Sequence, residues 1–247
     1  MVEGWPQPIK CWYYPRAHGS QNLYQAIQNS CNPAFIDIGQ AVGAKTFLEY
    51  YKASGLDEPT GIDLPGEGES IFHSEEQFLS NKVDLATASF GQNFQISPLQ
   101  LITAVSAVAN GGNLMKPYIV KEILDSDGNI VESTEPTVVR QVISEETSEL
   151  MCDILETVVS EGTGKNAYVA GYHIAGKTGT SEKKAKQAET GRNDLRISSF
   201  IAFAPADDPQ ILGMVIIHDP QGIYYGGTIA APVAKEIFEN ILPYLDK

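Results

Sequence analysis

Gly171-Tyr172-His173-Ile174-Ala175-Gly176-Lys177-Thr178-Gly179-Thr180 can be read in two incompatible ways. Gly171 to Thr178 fits the phosphate-loop pattern GxxxxGK[ST], and Leu212 to Asp219, an apolar run ending in an acid, imitates the strand that accompanies such a loop. A phosphate loop, however, opens a helix whose first N–H groups face the phosphates. Here Gly179 comes straight after Thr178, no helical pattern follows, and Ile174 is bulky for a tight anion nest. The phosphate-loop fit is therefore expected to be accidental.

The other reading puts Lys177-Thr178-Gly179-Thr180 on a strand, where alternate side chains share a face. Lys177 and Gly179 then point one way, Thr178 and Thr180 the other. If the strand edges a cleft, the ammonium stabilises anionic groups, the hydroxyls bind a carboxylate and the glycine lets a substrate approach the backbone. Away from a cleft, the same tetrapeptide is an ordinary exposed strand with a glycine bulge. The four residues do not choose between these.

Around this stretch the last third of the chain reads as strands and one helix. A strand is expected from His173-Ile174-Ala175-Gly176 onward, a second over Arg196 to Ala204 and a third over Gln210 to His218. The turn at Pro205 to Pro209 suggests an antiparallel meander. Ile229 to Leu242 predicts a closing helix with Ile229, Val233, Ile237 and Ile241 on one face. Ser181 to Asn193 is polar and charged, and is expected to be an exposed loop.

Residues 20 to 110 read as helical, broken by the turn-rich Thr60-Gly61-Ile62-Asp63-Leu64-Pro65-Gly66-Glu67-Gly68. Ser97-Pro98-Leu99-Gln100 carries the marks of a helix start: a capping serine, proline at the first helical position and a glutamine completing a capping box. Asn110-Gly111-Gly112 ends that helix. Tyr118 to Leu124 and Asn129 to Ser133 flank Asp127-Gly128, a hairpin signal. Residues 144 to 160 predict another helix, with Leu150, Met151, Ile154, Leu155, Val158 and Val159 as its apolar stripe, Glu145 and Glu146 in its first turn, and Gly162 as its stop.

The 247 residues carry a net charge of -14, with 43% hydrophobic and 19% charged residues, an ordinary globular balance. So acidic a surface repels phosphate backbones, and no nucleic-acid partner is expected. Cys11, Cys31 and Cys152 show no paired spacing, so neither a disulfide scaffold nor a metal site is expected, and no cofactor is implied. The most apolar stretch, Leu99 to Ala109, is interrupted by Gln100, Thr103 and Ser106 and is too short to span a bilayer. Met1 to Pro8 reads like the middle of a loop, and the chain is expected to be a fragment.

Ser30-Cys31-Asn32 is an SxN triplet, and Ser20-Gln21-Asn22 is another. The bland reading makes Ser30 a polar helix end and Asn32 a cap for the helix entered at Pro33. The second triplet is preferred for its setting between two helices, in Gln28-Asn29-Ser30-Cys31-Asn32-Pro33-Ala34-Phe35. KTG and SxN are two of the three signatures of the penicillin-binding protein and serine β-lactamase superfamily. His18-Gly19-Ser20 through Asn32-Pro33-Ala34-Phe35, Thr60 to Glu67, Ser89-Phe90-Gly91-Gln92 and Ser97 to Gln100 resemble class B penicillin-binding proteins. So do Ala109 to Gly112, Gly162-Thr163-Gly164-Lys165 and Ala175 to Thr180. The Asp-Leu-Pro-Gly-Glu block resembles the monofunctional division or sporulation type.

The resemblance implies an α/β (α+β) fold of the penicillin-binding protein and serine β-lactamase kind: an antiparallel sheet with flanking helices plus a helical subdomain, its N-terminal part missing. One partial transpeptidase domain would fill residues 1–247, mainly helical over about 20–160 with a hairpin near 118–133. Strands and a closing helix would follow over about 165–247. The third signature, SxxK, carries the family's nucleophilic serine and lies upstream of SxN. Nothing before Ser30 fits it, and Ser181-Glu182-Lys183-Lys184, after KTG, is read as chance.

The implied function is peptidoglycan D,D-transpeptidation, with stem peptides, β-lactams and cell-wall synthesis or division proteins as partners. It would take place on the extracytoplasmic face of the bacterial membrane, through an anchor outside this chain. Ser30 would relay a proton, Asn32 would bind the substrate amide and Lys177 would orient Ser30. Thr178 and Thr180 would hold the terminal carboxylate, with Gly179 and the Thr180 N–H beside the reacting carbonyl. Alternatives are a β-lactamase or β-lactam sensor of the same superfamily, and a non-catalytic binding or scaffolding fragment.

Overall fold

The computed structural model describes residues 2–245. Helix α1 (Leu23–Gln28) opens at Asn22, whose side chain accepts from the Gln25 N–H while the Gln25 side chain accepts from the Asn22 N–H. The Ser20-Gln21-Asn22 triplet is thus consumed by a capping box. α2 (Asn32–Val42) and α3 (Ala44–Ala53) are split at Gly43, whose φ of 83° suits glycine. α4 (Glu75–Ser80) and α5 (Lys82–Ala88) follow. Phe47, Leu48, Phe72, Phe78, Leu85 and Phe94 form the apolar centre of this helical part. α6 (Pro98–Ala109) starts as the sequence predicts, with Ser97 and Gln100 in a reciprocal capping box.

β1 (Asn113–Lys116) pairs antiparallel with β4 (Thr137–Gln141), a pairing the sequence does not announce. Between them β2 (Glu122–Leu124) and β3 (Ile130–Ser133) make the hairpin expected around Asp127-Gly128. The base of that excursion is held by Asp63, whose carboxylate accepts from the N–H groups of Ile119 (2.8 Å) and Val120 (2.7 Å). Those backbone donors, Val120 first, hold the Asp63 carboxyl below its usual range. Glu67 accepts in the same way from Thr60 and Gly61, so the acids of the Thr60-to-Glu67 block tie down loop backbone.

α7 (Glu145–Ser160) is capped by Ser144. A short 3₁₀ turn (Lys165–Ala167) leads to β5 (Ala175–Glu182), α8 (Lys184–Thr190), β6 (Arg196–Ala204), β7 (Ile211–His218), α9 (Gly226–Ile229) and α10 (Ala231–Leu245). β6 lies between β5 and β7, antiparallel to both, giving the expected meander. Its alternating side chains serve two cores. Phe200, Ala202 and Ala204 pack with Ala230, Ala231, Ala234, Phe238 and Leu242. Phe203 packs on the other face with Ile154, Leu155 and Val158 of α7 and with Ile27 of α1. Fully burying a side chain the size of Phe200 is worth roughly 1.5–3 kcal/mol.

Three expectations are corrected. On α10 the buried stripe is Ala231, Ala234, Phe238 and Leu242, while Val233 and Ile237 are exposed. Alanines let the helix approach the sheet closely, and their small side chains carry little weight in a hydrophobic pattern. On α7, Leu150 is exposed, and Ser148 and Cys152 are buried in the helix's inner face. Ser181 to Asn193 is not a loop: β5 runs on through Glu182, and α8 follows with no buried residue. Lysine, alanine, glutamine and glutamate are good helix formers, and Gly191 closes α8 in the left-handed region at φ 69°.

Candidate active site

The pleat of β5 decides what each motif residue can reach. Lys177 pairs with Ile201 and Gly179 with Ser199, on the face where Phe203 meets α7 and α1. Thr178 pairs with Phe200 and Thr180 with Ser198, on the face covered by α9 and α10. The chain after α1 therefore lies within reach of Lys177. Its Nζ donates to the Ser30 hydroxyl at 2.7 Å and to the Thr178 carbonyl at 3.0 Å.

Ser30 sits between α1 and α2 with φ of 48°, in the left-handed region that non-glycine residues seldom adopt. Its N–H donates to the Ile27 carbonyl at 3.1 Å, and the next N–H, of Cys31, donates to Ala26 at 3.1 Å. These bonds close α1 and over-determine a conformation that carries its own cost, as residues at functional sites often do. Lys177 as a whole is half-buried, but its ammonium end is enclosed. Burial pulls its pKa down from 10.5 to about 8. The pair can exchange a proton: the ammonium donates to Ser30, and a neutral amine accepts from it.

Asn32 is the first residue of α2 rather than its cap; Cys31 takes the cap position and makes no side-chain cap bond. The Asn32 amide donates instead to the Lys10 carbonyl at 3.4 Å. On the opposite face of β5, the Thr178 and Thr163 hydroxyls share a 3.1 Å hydrogen bond, and the Thr180 hydroxyl accepts from the Gly226 N–H at 3.1 Å. A hydroxyl that accepts once keeps its own proton to donate. Gly179 has a neighbour-imposed reason to be glycine, because a Cβ there would collide with the Ser199 hydroxyl. Gly171 to Thr178 forms no phosphate loop, since Lys177 and Thr178 lie inside a strand.

Two residues join the site that motif reading did not single out. Thr163 bonds Thr178 by its side chain, while its N–H donates to the Gln28 carbonyl of α1 at 3.0 Å. Gly162 is needed beside it, because a Cβ would stand 2.6 Å from that same Gln28 oxygen. Gln92 donates to the Thr180 carbonyl at 3.5 Å, bringing the helical part to the far end of the motif. The blocks Gly162-to-Lys165 and Ser89-to-Gln92 were the available signals for both.

Antiparallel strands between two helical layers thus carry a lysine that meets a serine from an interhelical turn. Residues 2–239 match the family described as penicillin binding protein transpeptidase domain, and the chain belongs to that family. Stage V sporulation protein D of Bacillus subtilis (strain 168) is 44% identical over 239 residues, 96% of this chain and 36% of that protein. The probable peptidoglycan D,D-transpeptidase FtsI of Caulobacter vibrioides is 30% identical, over 97% of this chain and 41% of that protein. The chain thus spans between about a third and two-fifths of the length of these relatives. Among solved structures, penicillin binding protein 3 of Mycobacterium tuberculosis complexed with aztreonam is similar at a TM-score of 0.80 and 26% identity, covering 91% of this chain and 52% of that one.

Proposed function

We propose that these residues are part of a peptidoglycan D,D-transpeptidase that cross-links D-Ala-D-Ala stem peptides by serine acyl transfer and that β-lactams acylate. They would belong to one transpeptidase domain, mainly helical over about 20–160 and strand-rich over about 165–247. The observation that carries this reading is the 2.7 Å contact between Lys177 Nζ and Ser30 Oγ. Relatives named as peptidoglycan D,D-transpeptidases, and a solved relative complexed with aztreonam, support it.

Acyl transfer divides into attack by the serine of an SxxK element, departure of D-Ala, and resolution by an amine of a second strand. Ser30 passes a proton towards the departing amine, and Lys177 orients it and supplies positive charge. Thr180 directs its remaining hydroxyl proton at the substrate carboxylate, with the Thr178 hydroxyl beside it. The Thr180 N–H is one oxyanion donor, a contribution typically worth about 3 kcal/mol. Asn32 releases a long bond to Lys10 and takes the substrate amide. The protein works at the outer face of the bacterial membrane, in cell division or sporulation, alongside other cell-wall proteins. Among the described residues no helix is long and apolar enough to cross a membrane.

The test is labelling of the full-length protein with a fluorescent penicillin. Acylation at an SxxK serine that Ser30→Ala and Lys177→Ala slow by about 100-fold or more supports the assignment. Unchanged acylation in both variants refutes it. Rapid deacylation would point instead to a β-lactamase.

A further inference from the structure

Cys11, His18 and Cys31 come from separate turns of the chain, yet one ligand atom of each lies within 4.8 Å of the other two. The Cys11 Sγ stands 3.6 Å from the His18 Nδ1. A tetrahedral zinc ion with Zn–S near 2.3 Å and Zn–N near 2.0–2.1 Å holds its sulfur and nitrogen ligands about 3.6 Å apart. This edge is therefore already close to the spacing a bound ion requires.

The rest of the setting is built rather than loose. Cys31 is buried and occupies the N-cap of α2, an eleven-residue helix. Asn32 reaches the Lys10 carbonyl, and the Trp12 indole N–H donates to the Asn29 carbonyl at 2.8 Å. Those two bonds lace the segment carrying Cys11 to the turn carrying Cys31. The His18 ring is stacked on Tyr13, with 4.8 Å between centroids and 9° between planes, which fixes its orientation.

We propose that Cys11, His18 and Cys31 form a binding site for a thiophilic divalent cation of the zinc class, with three protein ligands and a fourth position left for water. Each thiol gives its proton to solvent as its sulfur ligates the ion. Because Cys31 adjoins Ser30, the ion would pin the Ser30 turn to the segment around Cys11. This site does not depend on the transpeptidase reading. Its absence from the sequence reading follows from spacing, since Cys11 and Cys31 show none of the short repeats that mark zinc sites.

The experiment uses the full-length protein, purified under reductant and stripped of metal. Titration with Zn²⁺ alone should saturate at one equivalent attributable to this cluster. Co²⁺ alone should give thiolate-to-cobalt charge-transfer absorption together with tetrahedral d–d bands. Cys11→Ser and His18→Ala should each weaken Zn²⁺ binding about 100-fold or more, whereas Cys152→Ser, on α7, should leave it unchanged. The cobalt spectrum needs no variant, so a substitution that unfolds the protein does not spoil the test. A reduced protein without the cobalt thiolate band overturns the proposal. So do full zinc affinity in a folded Cys11→Ser variant, and thiols that join each other as a disulfide but take up no zinc once reduced.

Discussion

Lys177 Nζ donates to Ser30 Oγ at 2.7 Å across a sequence separation of 147 residues, and the ammonium does so from an enclosed position. Its pKa of about 8 lies below the ordinary 10.5 because burial disfavours the charged form. The unfolded chain therefore binds more protons between those two values. Stability should rise as pH climbs from about 8 towards 10.5, the charged-lysine penalty being fully present below the folded pKa. Methyl-labelled lysine NMR should find one resonance, lost in Lys177→Met, that titrates near 8. A midpoint above 10 would contradict the enclosure.

Lys177→Met separates the chemical from the structural contribution. It keeps the stem and removes the buried charge, so the melting temperature should stay level or increase. Penicillin acylation of the full-length protein should fall about 100-fold or more. A variant that melts early but acylates normally would make Lys177 a structural residue.

Gly179 and Gly226 should respond differently to alanine. At Gly179 the added Cβ meets only the Ser199 hydroxyl, which can rotate away. At Gly226 it meets the carbonyl oxygens of Gly179 and Ser199, which cannot. Gly226→Ala should cost about 1–3 kcal/mol in urea unfolding and displace the N–H that bonds Thr180, and Gly179→Ala should cost clearly less. Equal losses would show that α9 yields more than its contacts suggest.

Limited trypsin digestion should cut first at Lys184 or Lys186. α8 buries nothing, lacks a side-chain cap and can unfold locally without exposing core. The interior of α7 should survive longest, because its inner face joins α1, α6 and β5. Early cuts within 145–160 would overturn this ranking.

Residues 1–247 produced alone should form no covalent penicillin adduct, because no SxxK precedes Ser30 in them. A form extended upstream through SxxK should gain one adduct by intact-mass measurement. An adduct on the short form, mapped to Ser30 or Ser181, would identify a different nucleophile.

What the sequence made legible were features whose cause is local. Ser97 with Gln100, the Asp127-Gly128 turn and the β6 run each contain their own reason, and each was found where expected. Features set by distant partners were not legible. The buried face of α10 depends on alanines meeting a sheet, and the β1–β4 pair is made of short strands with little burial. At the site, the Ser30–Lys177 contact followed only from family resemblance, since nothing in either tripeptide names the other. Thr163 and Gln92 stayed hidden because their bonds to β5 are made by tertiary approach.

Thr163 holds α1 by its backbone N–H and β5 by its hydroxyl, with Gly162 giving up a side chain so that the Gln28 carbonyl can come close. At the other end of the motif Gln92 reaches the Thr180 carbonyl over 3.5 Å. The motif is therefore gripped closely at its Thr163 end and loosely at its Gln92 end.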